Sequence, residues 1–115
     1  MVRPASGVPD RGDVAWITLA PGGAHEQSGR RPAVVLSPAA YNAKVGLAVM
    51  VPITSRSKGY PFEVALPPGL PVEGVILSDQ LRTLNWRARH LVVIGRLDED
   101  RLAEVLGKVS ALLFP

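Results

Sequence analysis

The sequence predicts a mainly β domain: a small twisted barrel of mostly antiparallel strands, closed by one C-terminal α-helix. Three observations lead there. Apolar runs of strand length recur along the chain, each bounded by proline, glycine or polar clusters. From Asp98 the pattern changes, and Leu102, Val105, Leu106, Val109, Leu112 and Leu113 fall at the spacing of one helix face. The 115 residues hold no internal repeat and no low-complexity segment, so residues 1–115 are expected to form a single domain with one core.

Taken in order, residues 1–11 read as a loose lead-in. Asp13 to Ala20 alternates through Val14, Trp16, Ile17, Thr18 and Leu19 and reads as a strand, ended by Pro21-Gly22-Gly23. A polar loop runs to Arg31. Ala33 to Leu36 is a short apolar run and reads as a buried strand, with Pro32 at its start. Proline biases Arg31 toward an extended backbone, so a cation is held where a polar loop meets the sheet. Pro38 to Ala43 fits one helical turn, with Ser37 as cap and Pro38 at the first helical position. Leu47 to Ile53 is a further apolar run, and Pro52 within it predicts a bulge or an edge. Thr54 to Gly59 is a polar, basic loop. Phe62 to Leu66, Gly74 to Ser78 and Leu91 to Ile94 read as strands, the first two joined by a link rich in proline. Asp98 is the natural N-cap of the last helix, and Glu99 and Asp100 complement its dipole. Gly107 lowers local helicity without ending the helix.

Composition narrows the function. The chain has no cysteine and only two histidines, His25 and His90, far apart in sequence, which leaves no thiolate site and too few ligands for zinc. No cofactor is expected. No apolar run is long enough to span a membrane, the first ten residues lack a signal peptide's apolar core, and the cytoplasm is the expected compartment. The formal charge is +3 and the pI about 9.8. The middle of the chain is cation-rich, with Lys44, Arg56, Lys58, Arg82, Arg87 and Arg89, while the acids gather at Asp98 to Asp100 and Glu104. This placement favours an anionic partner.

Four groups in loops between strands are candidates for chemistry. Glu26 and Arg31 form either a structural salt bridge or a working pair. In the second case Arg31 holds a phosphate by paired N–H donors and Glu26 accepts a proton from an attacking hydroxyl. Thr54 and Ser55 are either turn-formers or donors to a phosphate oxygen. Arg56 and Lys58 form a solvated basic loop or track a nucleic-acid backbone. Asp79-Gln80-Leu81-Arg82 either caps a strand end or reads base edges. No carboxylate cluster suited to magnesium occurs apart from the acids that open the last helix. Phosphodiester cleavage without a metal is easiest when the substrate supplies its own nucleophile. RNA does so through its 2′-hydroxyl, so these residues favour RNA and a transesterification.

Several stretches carry a resemblance. Gly12-Asp13 precedes a Trp-bearing strand, and Glu26-Gln27 precedes Gly29. Then come Arg31-Pro32-Ala33-Val34-Val35-Leu36-Ser37-Pro38, Val51-Pro52-Ile53-Thr54, Ser57-Lys58-Gly59-Tyr60-Pro61-Phe62-Glu63-Val64 and Asp79-Gln80. In order and spacing the chain resembles the MazF (PemK/Kid) toxins of bacterial toxin–antitoxin modules, from about Asp10 to the last helix. The resemblance implies an SH3-like barrel of the CcdB/PemK-like toxin fold, assembled as a homodimer. It implies a metal-independent endoribonuclease that cuts single-stranded RNA at a short sequence, leaving a 2′,3′-cyclic phosphate and a 5′-hydroxyl. It also implies a MazE-like antitoxin whose acidic, disordered tail covers the RNA site.

Carried over by position, Arg31 matches the family's central catalytic arginine, Thr54 its hydroxyl residue after the strand proline, and Glu26 a loop acid. A guanidinium rarely gives up its proton. Arg31 is therefore assigned to stabilise the phosphorane, and Glu26, with His25 as the alternative, to act as base. Gln27, Gly29, Pro32, Ser55, Lys58, Asp79, Gln80 and Arg82 are the expected RNA-binding residues. Trp16 is either an outward anchor for the antitoxin or part of the core. A gyrase-poisoning toxin of the same fold, as in the CcdB family, is the competing reading. That family ends in Trp-Gly-Ile, whereas this chain ends Leu112-Leu113-Phe114-Pro115 and has Arg31 and Thr54. A non-catalytic RNA-binding module would need neither Glu26 nor Thr54.

Overall fold

A computed structural model describes residues 7–18 and 29–115. The strands are β1 (Asp13–Thr18), β2 (Arg30–Val35), β3 (Leu47–Thr54), β4 (Glu63–Ala65), β5 (Val75–Leu77), β6 (Arg82–Asn85) and β7 (Val92–Arg96). The helices are α1 (Ala39–Val45) and α2 (Glu99–Leu113). The strands lie in the order β4-β5-β3-β2-β1-β7, with β6 paired to β3 outside that path. All the pairings are antiparallel, as expected for this class.

The central strands are covered on both faces. Val34 and Leu36 point into one core with Val14, Val51, Ile53, Val64 and Ile76, which Leu102, Val105 and Val109 of α2 help to cover. Ala33 and Val35 point into a second, with Ile17, Met50, Leu84 and Trp86. A strand buried on both faces reads as an unbroken apolar run, and Ala33 to Leu36 is such a run. β2 nonetheless begins three residues before the predicted Ala33, because β1 alone can hold that extension through the pairs Trp16↔Pro32, Ile17↔Arg31 and Thr18↔Arg30. Pro32 thus lies just beyond the first β2–β3 pair, Ala33↔Pro52.

Pro52 makes neither the bulge nor the sheet edge expected of it. β3 pairs with β6 through Met50 and with β5 from Ile53, so Pro52 falls where β3 changes partner on that side. The register irregularity lies instead between Val14 and Ala15, in the β1–β7 pair. Two further expectations are corrected. α1 spans seven residues rather than one turn, and its N-cap is Pro38, which makes no side-chain cap bond. Ser37 is not the cap: its hydroxyl donates to Asn42 Oδ1 at 2.6 Å and accepts from the Val49 amide. β6 lies in a stretch to which no element was assigned from sequence.

Residues 7–11 are not loose. Val8 and Pro9 are buried, Asn42 Nδ2 donates to the Pro9 carbonyl at 2.8 Å, and the Asp10 carboxylate accepts from the Ala39 amide. Buried Asp13 accepts from Arg96 Nη1 at 2.8 Å and from the Asp10 amide at 2.7 Å. Leu19 and Ala20, the expected end of β1, lie outside the described residues. α2 matches its expectation, with the Asp98 carboxylate accepting from the Arg101 amide at its N-terminus. No helix among the described residues is long and apolar enough to cross a membrane.

Candidate functional site

Register builds the site. The β2–β3 ladder runs through Val35↔Met50 and Val34↔Val51 and ends at Ala33↔Pro52, so Arg31 on β2 and Thr54 on β3 each lie two residues past the same ladder end. Two clefts meet there. One, of about 230 Å³, is lined by Arg31, Pro32 and Thr54 together with Gln80, Arg82 and an apolar floor of Ile17, Met50, Leu77 and Leu84. The other, of about 350 Å³, is lined by the same Arg31, Pro32 and Thr54 together with Trp16, Arg30, Ser55, Val72 and Glu73. Arg31 and Thr54 thus stand on the wall that the two clefts share, and Arg31 is exposed.

Neighbouring backbone holds each group. Arg31 Nη1 donates to the Arg30 carbonyl at 3.1 Å, which restrains the guanidinium while leaving its other N–H donors for a ligand. Thr54 Oγ1 accepts from the Arg56 amide at 3.2 Å. That bond occupies a lone pair and leaves the hydroxyl proton to donate elsewhere. Behind Thr54 lies Gly74, with φ +129°, where a Cβ would stand 2.1 Å from the Thr54 carbonyl oxygen. Only glycine allows β5 to approach β3 so closely. Arg30 covers Trp16, its guanidinium carbon 4.2 Å from the ring centroid. Trp16 is therefore neither pure core nor a bare anchor: it is half-buried, with a cation on its face.

Glu63 orders the basic loop. Its carboxylate accepts from Ser57 Oγ at 2.7 Å and from the amides of Lys58 at 2.9 Å and Gly59 at 3.1 Å. The Lys58 amide, then the Ser57 hydroxyl, hold its pKa below the ordinary value. The loop backbone is anchored while the Lys58 side chain stays exposed.

Of the expected residues, Arg31, Pro32, Thr54, Ser55, Gln80 and Arg82 line the paired clefts. Lys58 and Asp79 are exposed and line neither, and Gly29 is buried just before β2. Glu26, Gln27 and His25 lie outside the described residues. Three cleft residues were missed: Arg30, Val72 and Glu73. Arg30 lay in the loop as read from sequence, and the pairing of Thr18 with Arg30 is what turns it into the wall. Glu73 sat in a proline-rich link, where the only local signal was the glycine that follows it.

Fold and clefts together define a small antiparallel β domain with a terminal helix, in which an arginine and a threonine stand on the shared wall of two clefts. The chain belongs to the PemK-like, MazF-like toxins of type II toxin–antitoxin systems, whose family pattern matches residues 10–113. It is 45% identical over 106 residues to the endoribonuclease toxin MazF of Escherichia coli K12, covering 92% of this chain and 95% of that one. It is 38% identical over 110 residues to the endoribonuclease PemK of Escherichia coli, covering 90% and 81%. Among solved structures, MazF in a MazE–MazF crystal form from Deinococcus radiodurans superposes with a TM-score of 0.85 at 52% identity, covering 92% of this chain and 96% of that one. The fold is therefore the PemK/CcdB-like toxin fold expected from the sequence.

Proposed function

We propose that the chain is the toxin of a type II toxin–antitoxin module, a cytoplasmic endoribonuclease that cuts single-stranded RNA at a short sequence through the substrate's own 2′-hydroxyl. The single observation that carries this reading is the placement of Arg31 and Thr54 on the shared wall of two clefts. A phosphodiester set on that wall has a cleft on each side for the nucleotides that flank it. The 2′-oxygen attacks the adjacent phosphorus, losing its proton to the base. The 5′-oxygen then leaves and takes up a proton. The products are a 2′,3′-cyclic phosphate and a 5′-hydroxyl.

Charge grows on the non-bridging oxygens in the phosphorane. Arg31 meets it with the paired N–H donors of a guanidinium, and Thr54 and Ser55 add hydroxyl donors. Donors already fixed by the Arg30 carbonyl and the Arg56 amide need little reorganisation during the step. Glu26 is the proposed base, with His25 as the alternative; Gln27 and Gly29 of the same stretch, with Lys58, Asp79, Gln80 and Arg82, are the proposed RNA contacts. Arg82 and Gln80 line the narrower cleft and suit a phosphate and a base edge there.

The same reading makes the protein a homodimer. An open apolar groove of Leu36, Tyr41, Val49, Leu106, Val109 and Leu113, between α1 and α2, is a face that a second copy would cover. The MazE–MazF crystals from Deinococcus radiodurans pair that toxin with an antitoxin. We propose a cognate antitoxin here too, its acidic flexible tail occupying the cation-lined clefts in place of RNA.

The test is cleavage of a long single-stranded RNA in excess EDTA, with mapping of 5′-hydroxyl ends. Cutting is expected to continue without metal and to stop at any site whose 2′-hydroxyl is replaced by hydrogen. Arg31→Ala is expected to lose about 10²–10³ in rate while remaining folded, and Arg31→Lys to recover it only in part. Loss of activity in EDTA, cutting at the 2′-deoxy site, or a near wild-type rate for Arg31→Ala would each overturn the mechanism.

A further inference from the structure

The wider cleft contains a group that phosphate binding does not explain. Glu73 is exposed on its rim, beside Arg30, Arg31 and Ser55. Among the described residues it makes no ion pair within 4 Å with either arginine. A carboxylate at that point repels the RNA backbone that the arginines attract. Its position is nonetheless well defined. It precedes Gly74, whose backbone is wedged against the Thr54 carbonyl, so the chain at Glu73 is held at a set place relative to the proposed phosphate site. The same cleft holds a flat surface. Trp16 supports the Arg30 guanidinium from beneath at 4.2 Å, and both line the cleft. Unpaired bases stack on guanidinium planes as well as on aromatic rings. The cleft's volume of about 350 Å³ lies within the range of small-ligand sites.

We infer that the Trp16–Arg30–Glu73 cleft is a base-reading subsite. A base stacks on the Arg30 plane, and the Glu73 carboxylate accepts a hydrogen bond from the base's exocyclic amino group. The nucleotide is one of the two that flank the cut phosphate. Adenine, cytosine and guanine each offer such a donor. Uracil has no amino group; its one edge donor, the ring N3–H, lies between two carbonyl oxygens that a carboxylate repels. The subsite therefore disfavours uracil, relative to the amino-bearing bases, at one position next to the cut. This rests on the RNA-cleaving reading above and names a specificity-determining residue within it.

The experiment is cleavage of an RNA pool randomised around the cut, with 5′-hydroxyl ends sequenced for the wild type, Glu73→Gln and Glu73→Asp. The wild type is expected to deplete uracil at one flanking position by roughly 10–100-fold, the discrimination of one good base contact. Glu73→Gln, whose amide offers a donor as well as an acceptor, is expected to admit uracil there and to leave the other positions unchanged. Glu73→Asp keeps the carboxylate and is expected to keep the bias against uracil, which separates loss of the negative charge from loss of side-chain length. If the wild type cuts RNA and the Glu73→Gln profile is the same as its own, the subsite is wrong and the proposed function stands. A uniform rise at all sites in Glu73→Gln, the mark of relieved charge repulsion alone, also overturns it. If the wild type cuts no RNA, the proposed function fails and the subsite with it.

Discussion

One substitution, glycine to alanine, is expected to act with opposite sign at two places in this chain. At Gly74 an added Cβ would lie 2.1 Å from the Thr54 carbonyl oxygen, 2.8 Å from its carbon and 3.0 Å from the Ser55 Cα. These are backbone atoms and cannot swing aside. The φ of +129° is itself strained for any residue with a side chain, at a cost of about 1–3 kcal/mol. Relief requires β5 to move off β3, which weakens the Thr54↔Val75 pair and the bond from the Leu66 amide to the Gly74 carbonyl. Each such bond contributes about 0.5–1.5 kcal/mol net. The expected loss is therefore about 3 kcal/mol or more. Gly107 is exposed within α2 with nothing within 4 Å of its Cβ position, so alanine there gains about 0.8–1.0 kcal/mol of helix propensity. Urea unfolding of the two variants reads both effects. With a slope of about 1–3 kcal/mol per molar, the Gly74→Ala midpoint falls by roughly 1–3 M and the Gly107→Ala midpoint rises by a fraction of a molar. Protein concentrations are matched, because an associating chain is stabilised by mass action. At temperatures where both variants are folded, Gly74→Ala also cuts RNA more slowly, since a misplacement of about 1 Å can cost 10²-fold. A Gly74→Ala midpoint within error of wild type would refute the close approach of β5 to Thr54.

Two further outcomes follow from polar groups. Asn42 is fully buried, and its side chain donates to the carbonyls of Pro9 and Ser37 and accepts from the Ser37 hydroxyl. Asn42→Ala leaves these buried partners unmatched, at about 1–3 kcal/mol each before relaxation, and is expected to destabilise by about 3 kcal/mol or more in the same urea assay; a loss under about 1 kcal/mol would show that water replaces the amide. Glu63 has a folded pKa lowered from 4.5 by the Lys58 amide and the Ser57 hydroxyl, so its hold on the loop is complete above the ordinary carboxylate range and is lost as pH falls through the lowered value. The amide resonances of Lys58 and Gly59, followed by NMR, are expected to titrate together with a midpoint below 4.5, and a midpoint at or above it would remove Glu63 as the anchor.

What was legible in the fold divides along a physical line. α2 could be read because both of its signals are local: apolar spacing on one face and Asp98 at the N-terminus. Ala33 to Leu36 could be read because burial on both faces leaves an unbroken apolar run. β6 could not. Of its residues only Leu84 is buried, and β3 supplies the partner that makes it a strand. Residues 7–11 read as loose for a similar reason. Asn42, Asp10 and Asp13 pin them from distant points in the chain, and a buried polar network leaves no periodic trace. Pro52 was a sound warning about the ladder. Its effect depended on where β3 exchanges β6 for β5, which is a property of the whole sheet.

The site follows the same division, with one added lesson about charge. Arg31 and Thr54 were singled out as a cation and a hydroxyl at strand ends, and both stand just past the end of the β2–β3 ladder, where they line the same clefts. Lys58 was placed with them on its charge and on the resemblance of the Ser57 to Val64 stretch, and its loop, anchored by Glu63, lines neither cleft. Basic residues near a polyanion site are numerous, and a formal count weights them equally. The arginines of β2 differ because a paired strand fixes their backbone, and Trp16 fixes the Arg30 head group as well. Glu73 carries the argument further. In sequence it sits in a proline-rich link, with the glycine that follows as the only local signal. Once β5 docks on β3 through Gly74, it becomes a carboxylate held beside two arginines and a hydroxyl pair. A carboxylate among arginines is not explained by phosphate binding, and the base-reading subsite proposed for it supplies a partner of the right chemistry in the amino group of a base.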